Sequence, residues 1–165
     1  MYKVIVTGPE SSGKTTLCNE ISNYLKIPFA KEYSREYLTE LSREYIQKDL
    51  TIIAKGQLKY EENSHLLDTD LITIKIWSLY KYGNCDDWIL NKIEAQKKEE
   101  RFYLLCTPDI IWERDPLREN PTNRMTLFRL YKKELEDLEH EYHILEKDNR
   151  SMDAVLKILH KNYIF

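Results

Sequence analysis

One motif near the amino terminus limits this chain to a small number of folds. Residues 8–15 read Gly-Pro-Glu-Ser-Ser-Gly-Lys-Thr, which matches the pattern G-x-x-x-x-G-K-[ST]. A β-branched run at residues 3–6 comes directly before the motif, and Leu17, Ile21 and Leu25 follow it at helical spacing. A strand, a glycine-rich turn and a helix in this order are typical of the phosphate-binding loop of P-loop proteins. The chain is therefore predicted to bind a nucleoside triphosphate.

The residue types in this loop suit the binding of phosphate. Gly8 and Gly13 allow the backbone to curve so that successive N–H groups point at phosphate oxygens, next to the positive end of the following helix. We expect Lys14 to reach the outer phosphates and the Thr15 hydroxyl to be a ligand of Mg²⁺. ATP and Mg²⁺ are the predicted cofactors. The predicted nucleotide contacts are Gly8, Glu10, Ser11, Ser12, Gly13, Lys14, Thr15 and Thr16.

Strand-like and helix-like segments alternate along the rest of the chain. Strands are predicted at residues 3–6, 27–31, 66–67, 102–106 and 142–146. Helices are predicted at residues 13–25, 34–47, 51–63, 71–82, 86–100, from Asn120 and Pro121 onward, and 151–162. This alternation specifies a parallel sheet with right-handed crossovers and helices on both faces. We therefore predict one α/β domain over residues 1–165, with a three-layer P-loop fold and a five-stranded parallel sheet.

Composition and charge exclude several other classes. The chain has 165 residues, of which 42% are hydrophobic and 32% charged, which is typical of a soluble globular protein. The net charge of −3 indicates no basic face for nucleic acid, and no apolar run reaches the ~18 residues of a membrane span. Three widely spaced cysteines and the absence of a signal-like start predict a cytoplasmic location. The charge run at residues 97–101 is predicted to be a solvated face. The sequence leaves a homo-oligomer open.

Missing motifs narrow the class of P-loop protein. No Asp is followed three positions later by Gly, as the D-x-x-G switch of a GTPase requires. No run of four apolar residues precedes an Asp-Glu pair, which an oligomeric motor ATPase would show. The class that remains is a small-molecule kinase, which transfers a phosphoryl group to a hydroxyl of its acceptor.

A kinase also needs a carboxylate that orients or deprotonates the acceptor hydroxyl. Glu32 follows the second predicted strand, and Asp68 and Asp70 follow the third. In a parallel sheet these strand ends lie at the edge that carries the phosphate loop, so all three are predicted to face the acceptor. Two alternatives remain open. Asp70 could cap the next helix, and Glu32, Arg35 and Glu36 could be an ordinary charge cluster at a helix start.

Aromatic and arginine side chains complete the predicted site. Trp77 lies on the helix after Asp70, where its ring could stack on a flat substrate or pack in the core. Residues 109–124 form a polar segment after the fourth strand and are predicted to be a lid. Arg118 and Arg124 would then close over the transferring phosphates. The alternative for these arginines is a set of surface ion pairs.

Together these motifs resemble a known family. Four segments resemble the ribosylnicotinamide kinase domain of NadR-type proteins. They are the Gly-Pro-Glu-Ser-Ser-Gly-Lys-Thr loop, residues 32–36 (Glu-Tyr-Ser-Arg-Glu), residues 68–70 (Asp-Thr-Asp) with Thr73 and Trp77, and residues 112–118. The resemblance extends from about residue 3 to about residue 150. It implies a nucleoside-kinase-like P-loop fold and the phosphorylation of nicotinamide riboside to nicotinamide mononucleotide by ATP.

The resemblance also implies roles for individual residues. Lys14 and Thr15 would serve ATP and Mg²⁺, with Asp68 as a second metal ligand. The riboside hydroxyls would be bound by Glu32, Asp68 and Asp70, and its ring by Tyr33 and Trp77, with Arg35 as a further substrate contact. Two features depart from the family. The family usually has several apolar residues before its Asp-Thr-Asp, whereas here only Leu66 and Leu67 stand there, so either that strand is very short or residues are absent before Asp68. The arginine-bearing segment at residues 113–118 reads Glu-Arg-Asp-Pro-Leu-Arg, which is not the pattern expected of the family.

Two other functions remain open. The acceptor could be another (deoxy)nucleoside or a small metabolite, because such a kinase would share every motif. From a different class, the chain could be a non-catalytic ATP-binding regulatory module that controls a protein partner. A small-molecule acceptor separates these functions, since only a kinase would be stimulated by one.

Overall fold

The β-branched run before the phosphate loop forms the central strand of a parallel sheet. In the computed structural model, which describes residues 2–161, the sheet has five strands in the order β2-β3-β1-β4-β5, all parallel. The strands are β1 (Lys3–Thr7), β2 (Phe29–Ala30), β3 (Leu66–Asp68), β4 (Arg101–Cys106) and β5 (Glu141–Leu145). Val4, Ile5 and Val6 are fully buried, as expected for a strand covered on both faces. The predicted five-stranded parallel sheet is confirmed.

Helices connect successive strands and cover both faces of the sheet. They are α1 (Lys14–Leu25), α2 (Tyr33–Glu40), α3 (Gln47–Glu61), α4 (Leu71–Tyr82), α5 (Asp87–Gln96), α6 (Arg124–Asp137) and α7 (Met152–Lys161). Alternate residues of each strand point to opposite faces. Ile5 and Tyr103 pack in a core with α3, α4, α5 and α6, whereas Val6 and Leu104 pack in a second core with α1 and α7. The three-layer α/β arrangement follows from these two cores.

Local signals placed some elements correctly. Helix α4 has the predicted bounds, because the Asp70 carboxylate accepts a hydrogen bond from the Ile72 N–H at one end and Gly83 adopts a left-handed conformation at the other. Strand β3 is short, with three residues that are all buried. The very short strand that the sequence allowed before Asp68 is therefore present. No helix between residues 2 and 161 combines the length and hydropathy needed to span a membrane.

Other boundaries differ from the prediction, and each difference has a physical cause. The second strand shrinks to Phe29–Ala30, since Pro28 has no N–H to donate to a neighbour. The helix predicted to run through residue 47 ends at Glu40, and α3 begins at Gln47 rather than Thr51. Asp49 sets this start, because its carboxylate accepts from the Ile46 N–H at 2.7 Å.

Two further boundaries are corrected at the lid and at the carboxyl end. The helix predicted to begin at Asn120 begins at Arg124 instead. The Asn120 N–H is held by the Glu10 carboxylate at 2.9 Å, so this residue belongs to the lid and not to a helix cap. The last helix is described to Lys161, and its predicted end at residue 162 lies outside the described residues.

Candidate active site

The phosphate loop leaves β1 and enters α1, as its sequence predicts. Gly8 has φ +135°, and a Cβ there would lie 2.5 Å from the Cys106 carbonyl oxygen. Gly13 has φ +81° and is the residue that caps α1. Both positions need glycine, because L side chains rarely adopt these angles and the first position has no space. The loop therefore curves at the carboxyl edge of the sheet and opens on the amino end of α1.

The loop forms one wall of a cavity that also receives residues from α2, α4, α6 and the lid. Lys14 lies within this wall, and its Nζ donates to the Pro9 carbonyl at 2.8 Å. Ser12 is fully buried, and within the described residues its Oγ has no hydrogen-bond partner. The cavity is lined by Gly8, Glu10, Ser11, Ser12, Gly13, Lys14, Thr15, Thr16, Glu32, Ser34, Arg35, Leu38, Thr73, Trp77, Ile110, Glu113, Leu117, Arg118 and Tyr131. All eight predicted nucleotide contacts are among them.

Thr15 and Asp68 come together beside the loop. The Thr15 Oγ1 donates to Asp68 Oδ2 at 2.6 Å, and Oδ1 of the same carboxylate has no partner among residues 2–161. Asp68 is 1% exposed, and this burial raises its pKa to about 6, with a further rise from the nearby Glu32 carboxylate. A buried carboxylate oxygen without a partner next to a hydroxyl fits a hard cation such as Mg²⁺. Asp68 itself does not line the cavity, in contrast to the prediction that it faces the acceptor.

Glu32 and Arg35 face the cavity from the start of α2. Ser34 Oγ donates to Glu32 Oε1 at 2.8 Å, and Arg35 Nε lies 3.7 Å from Glu32 Oε2. Arg35 also binds Asp115 of the lid, with 2.8 Å between Nη1 and Oδ2. Glu36 points elsewhere, since its carboxylate accepts from the Tyr60 hydroxyl. The predicted charge cluster therefore divides, and two of its three members belong to the cavity.

Trp77 reaches the same cavity from α4. Its ring is half-buried and lines the cavity together with Leu38, Thr73 and Tyr131. The cavity thus has a phosphate-binding end, a carboxylate at Glu32 and an aromatic surface.

Asp70 is not part of this cavity, which corrects its predicted role. It is fully buried, and its carboxylate accepts from the Ile72 N–H at 3.0 Å, from the Tyr103 hydroxyl at 2.7 Å and from Arg101 Nη1 at 3.3 Å. The turn at Thr69, with φ +72°, separates Asp70 from Asp68. Asp70 therefore caps α4 and balances a buried guanidinium, so it does not contact an acceptor.

Tyr33, a predicted substrate contact, is partly buried against the core and does not line this cavity. Its ring packs on Gly56 of α3 so closely that a Cβ at Gly56 would lie 2.1 Å from a ring carbon. The ring of Tyr60 meets it edge-on, with centroids 5.2 Å apart. This packing turns Tyr33 away from the cavity while Glu32 and Ser34 on either side of it face inward.

The predicted lid, residues 109–124, contacts the phosphate loop. The Glu10 carboxylate accepts from the N–H groups of Glu119 and Asn120, at 3.1 and 2.9 Å. Arg118 lines the cavity and donates to the Glu113 carbonyl at 2.6 Å. Arg124 does not line it, because its guanidinium donates to the carbonyl of Ser11 and to that of Ile110, each at 3.0 Å. The expected phosphate contact is therefore retained for Arg118 and corrected for Arg124.

Arg150 is a site residue that sequence reasoning missed. Its guanidinium joins three chain segments, with hydrogen bonds to the carbonyls of Ser12 (2.5 Å), Thr107 (2.6 Å) and Leu145 (3.0 Å) and to the Asp109 carboxylate. A loop that turns its N–H groups inward turns carbonyls outward, and these need donors. Arg150 and Arg124 supply them. The only signal in the sequence is an arginine soon after the last strand, at the sheet edge that carries the loop.

Replacing Asp68 by asparagine is expected to stabilise the protein and to inactivate it. A folded pKa of about 6 against an unfolded value of 3.8 means that ionisation of Asp68 costs about 3 kcal/mol. The folded protein holds the Asp68 proton more tightly than the unfolded chain does, and the stability that this contributes is fully present below pH 3.8 and is lost as the pH rises through 6. Asp68→Asn should therefore raise the unfolding free energy at pH 7 by roughly 1–3 kcal/mol. It should lower kcat/KM at least about 100-fold, since the carboxylate is lost from the metal side.

Asp49→Asn is the matched control for this variant. Asp49 is also 1% exposed, but Arg43, Tyr37 and the Ile46 N–H bind its carboxylate. These partners hold the pKa of Asp49 well below its usual range, so this variant should lose stability and keep its activity. Urea unfolding and steady-state rates measure both effects. An Asp68→Asn protein that is less stable than the wild type and still active would contradict the assignment.

Comparison with known proteins agrees with this architecture. The profile of a family described as AAA domain matches residues 3–151. The trifunctional NAD biosynthesis/regulator protein NadR of Salmonella typhimurium is 29% identical over 128 residues, which cover 70% of this chain and 30% of that protein. The corresponding Escherichia coli protein gives the same identity and coverage. The chain thus spans about a third of the length of these curated relatives.

Solved structures show the same fold. A crystal structure of NadR protein in complex with NR has a TM-score of 0.67 and 19% identity, over 99% of this chain and 52% of that one. Deoxyadenosine kinase from M. mycoides with bound dATP has a TM-score of 0.56 and 17% identity, over 99% of this chain and 100% of that one. These likenesses confirm the predicted P-loop fold, and the NadR relatives confirm the resemblance noted in the sequence.

Proposed function

The chain belongs to the AAA domain family of P-loop proteins, and from that premise we propose that it is a kinase for nicotinamide riboside. In this reaction ATP phosphorylates a riboside hydroxyl and gives nicotinamide mononucleotide and ADP. The observation that carries the proposal is a single cavity that joins a phosphate loop, a carboxylate at Glu32 and an aromatic surface at Trp77. A phosphoryl donor, an acceptor hydroxyl and a flat ring each find suitable chemistry there.

The donor end of the cavity suits ATP and Mg²⁺. Lys14 Nζ, which now donates to the Pro9 carbonyl, is the cation within reach of the outer phosphates. Ser12 Oγ offers a hydroxyl that has no other partner in the described part of the chain. Thr15 and Asp68 would hold Mg²⁺, which when bound neutralises charge on the β- and γ-phosphates. Arg118 of the lid adds positive charge where negative charge develops during transfer.

Glu32 is the residue that we assign to the acceptor. It lies on the cavity wall, whereas Asp68 is beneath Thr15 and Asp70 is in the core. A hydroxyl of the riboside would donate to the Glu32 carboxylate. As the oxygen forms its bond to the γ-phosphorus and the bond to the ADP oxygen breaks, the hydroxyl proton passes to Glu32. Ser34 and Arg35 position this carboxylate from either side.

The relatives support nicotinamide riboside as the acceptor. NadR proteins have the highest identity to this chain among the relatives given above, and a NadR structure has been solved with NR. A second candidate is a deoxynucleoside, since deoxyadenosine kinase matches this chain over its whole length.

We propose that residues 1–165 form one domain, with the lid at residues 109–124. We also propose a cytoplasmic protein with a small-molecule substrate and without a nucleic-acid partner.

The experiment that tests this function is an ADP-release assay with ATP and Mg²⁺. It compares nicotinamide riboside, deoxyadenosine, the common nucleosides and no acceptor. We expect nicotinamide riboside to stimulate ADP release well above every other addition. Stimulation by deoxyadenosine alone would show that the acceptor is a deoxynucleoside, while the proposed kinase activity would stand. Slow ADP release that no acceptor changes would overturn the kinase and favour a regulatory ATP-binding module.

A further inference from the structure

Asp115 joins the lid to the acceptor side of the active-site cavity without lining the cavity itself. Its Oδ2 accepts a hydrogen bond from Arg35 Nη1 at 2.8 Å, across 80 positions of sequence. Its Oδ1 accepts from the Leu117 N–H at 2.9 Å, so the carboxylate is oriented from within the lid. Arg35 lines the cavity, whereas Asp115 does not. Asp115 can therefore act on a bound substrate only through the side chains that it holds.

The guanidinium that Asp115 holds also faces the carboxylate that we assign to the acceptor. Arg35 Nε lies 3.7 Å from Glu32 Oε2, which is an ionic contact but too long for a hydrogen bond. The other oxygen of this carboxylate, Oε1, accepts from Ser34 Oγ at 2.8 Å. Oε2 is thus the oxygen of Glu32 that is left to accept from an acceptor hydroxyl, and Arg35 is the cation beside it.

Glu32 and Asp115 share this one guanidinium through different nitrogens. The group is rigid and planar, so the hydrogen bond at Nη1 fixes where Nε lies. The Arg35 side chain is 43% exposed and stands on a flexible stem, so packing alone does not hold it there. Without the Asp115 carboxylate, the guanidinium would turn to Glu32 and bind it through two N–H groups, the arrangement that arginine and a carboxylate favour. Glu32 Oε2 would then be occupied by Arg35 and unable to accept from the acceptor hydroxyl.

We propose that Asp115 is a positioning residue for the acceptor, because it holds Arg35 at a distance from Glu32 that leaves Oε2 free. The inference rests on the proposed riboside kinase activity and adds to it a lid residue that acts on the acceptor end. Asp115 Oδ2 also lies 4.0 Å from Arg118 Nε, so this carboxylate is a neighbour of two arginines that line the cavity. The lid would thus serve the acceptor as well as the phosphates.

The test measures kcat/KM for nicotinamide riboside and the KM for ATP, with the wild type and with Asp115→Asn. Asparagine keeps one oxygen for the Leu117 N–H and loses the charge that holds Arg35. We expect kcat/KM for the riboside to fall about 10-fold or more, since small displacements of a group that orients a reactant are costly. The KM for ATP should change little, because Lys14 and Thr15 are untouched.

Glu119→Gln is the matched control. Glu119 is also a lid carboxylate that binds a cation outside the lid, with 2.9 Å between its Oε1 and Lys81 Nζ. Neither member of this pair lines the cavity or contacts Glu32. The control should therefore keep the wild-type kcat/KM for the riboside. Both variants should unfold near the wild-type denaturant midpoint, since ion pairs at partly exposed side chains add little stability.

The double variant Arg35→Gln/Asp115→Asn shows whether Asp115 acts through Arg35. In the Arg35→Gln background no guanidinium remains to occupy Glu32, so the loss of Asp115 should change kcat/KM for the riboside by less than about 2-fold.

The outcomes separate this inference from the function on which it rests. Wild-type kcat/KM in Asp115→Asn, an equal loss in Glu119→Gln, or an equal effect of Asp115→Asn in both backgrounds would each overturn the inference while the kinase stands. A wild type that the riboside does not stimulate would overturn the proposed function and the inference with it.

Discussion

Replacing Lys14 by alanine is expected to lower the rate of phosphoryl transfer roughly 10²- to 10³-fold. In the structure Lys14 Nζ lies in the cavity wall and donates to the Pro9 carbonyl, so the ammonium is held within the loop that is to receive phosphate. Its loss removes positive charge at the place where negative charge develops during transfer. Fold stability should change by less than about 1 kcal/mol, because Lys14 is only partly buried and forms no ion pair with the described residues.

Lys157→Ala is the matched control for this variant. Lys157 is exposed on α7, away from the cavity, and an alanine there keeps the helix. Both variants should unfold near the wild-type denaturant midpoint, and only Lys14→Ala should lose its activity. Turnover by Lys14→Ala at a rate close to that of the wild type would contradict the phosphate-loop assignment.

Replacing Asp70 by alanine is expected to cost about 3–5 kcal/mol of unfolding free energy, the typical loss when one partner of a buried ion pair is removed. The side chains of Asp70 and Arg101 are both 0% exposed. Without the carboxylate, the Tyr103 hydroxyl and one nitrogen of Arg101 lose their partner inside the protein. Glu61 still pairs with Arg101 at 2.8 Å, but the guanidinium then has less negative charge around it. The KM for the acceptor should stay near the wild-type value, because Asp70 does not reach the cavity.

A second capping aspartate, Asp86, is the control that separates the cost of losing a buried ion pair from the cost of losing a helix cap. The Asp86 carboxylate accepts from the Trp88 N–H at the start of α5, but the residue is exposed. Asp86→Ala should therefore cost about 1 kcal/mol, the usual loss for a cap. Asp70→Asn keeps the capping oxygen and should fall between the two alanine variants. If Asp70→Ala and Asp86→Ala lost the same unfolding free energy and Asp70→Ala also raised the KM for the riboside, Asp70 would be a residue that binds the acceptor, and its assignment to the core would be wrong.

The sequence predicted best where structure is set by neighbouring residues. The strand, loop and helix at residues 3–25 follow from apolar spacing and two glycines, and α4 follows from Asp70 at one end and Gly83 at the other. Lys14 and Thr15 were found from the phosphate-loop motif, and Glu32 was found because the carboxyl ends of parallel strands meet at one edge. These predictions need no knowledge of contacts between distant parts of the chain.

Predictions failed where a distant contact decides the role of a side chain. Arg101 belongs to a charge run predicted to be solvated, but it is buried because Glu61 and Asp70 pair with it. Arg124 serves the Ser11 carbonyl across 113 positions of sequence, and Arg150 serves Ser12 across 138. Nothing local distinguishes such arginines from surface residues. The burial of Tyr33 likewise depends on a glycine of another helix.

Transfer of the γ-phosphoryl group itself tests the central claim most directly. The protein is incubated with Mg²⁺, nicotinamide riboside and ATP labelled at the γ-phosphate, and the products are separated and identified by mass. The account predicts that the label appears in nicotinamide mononucleotide in equal amount to ADP, with the wild type and not with Lys14→Ala. Label released only as inorganic phosphate, at the same rate with and without the riboside, would contradict it.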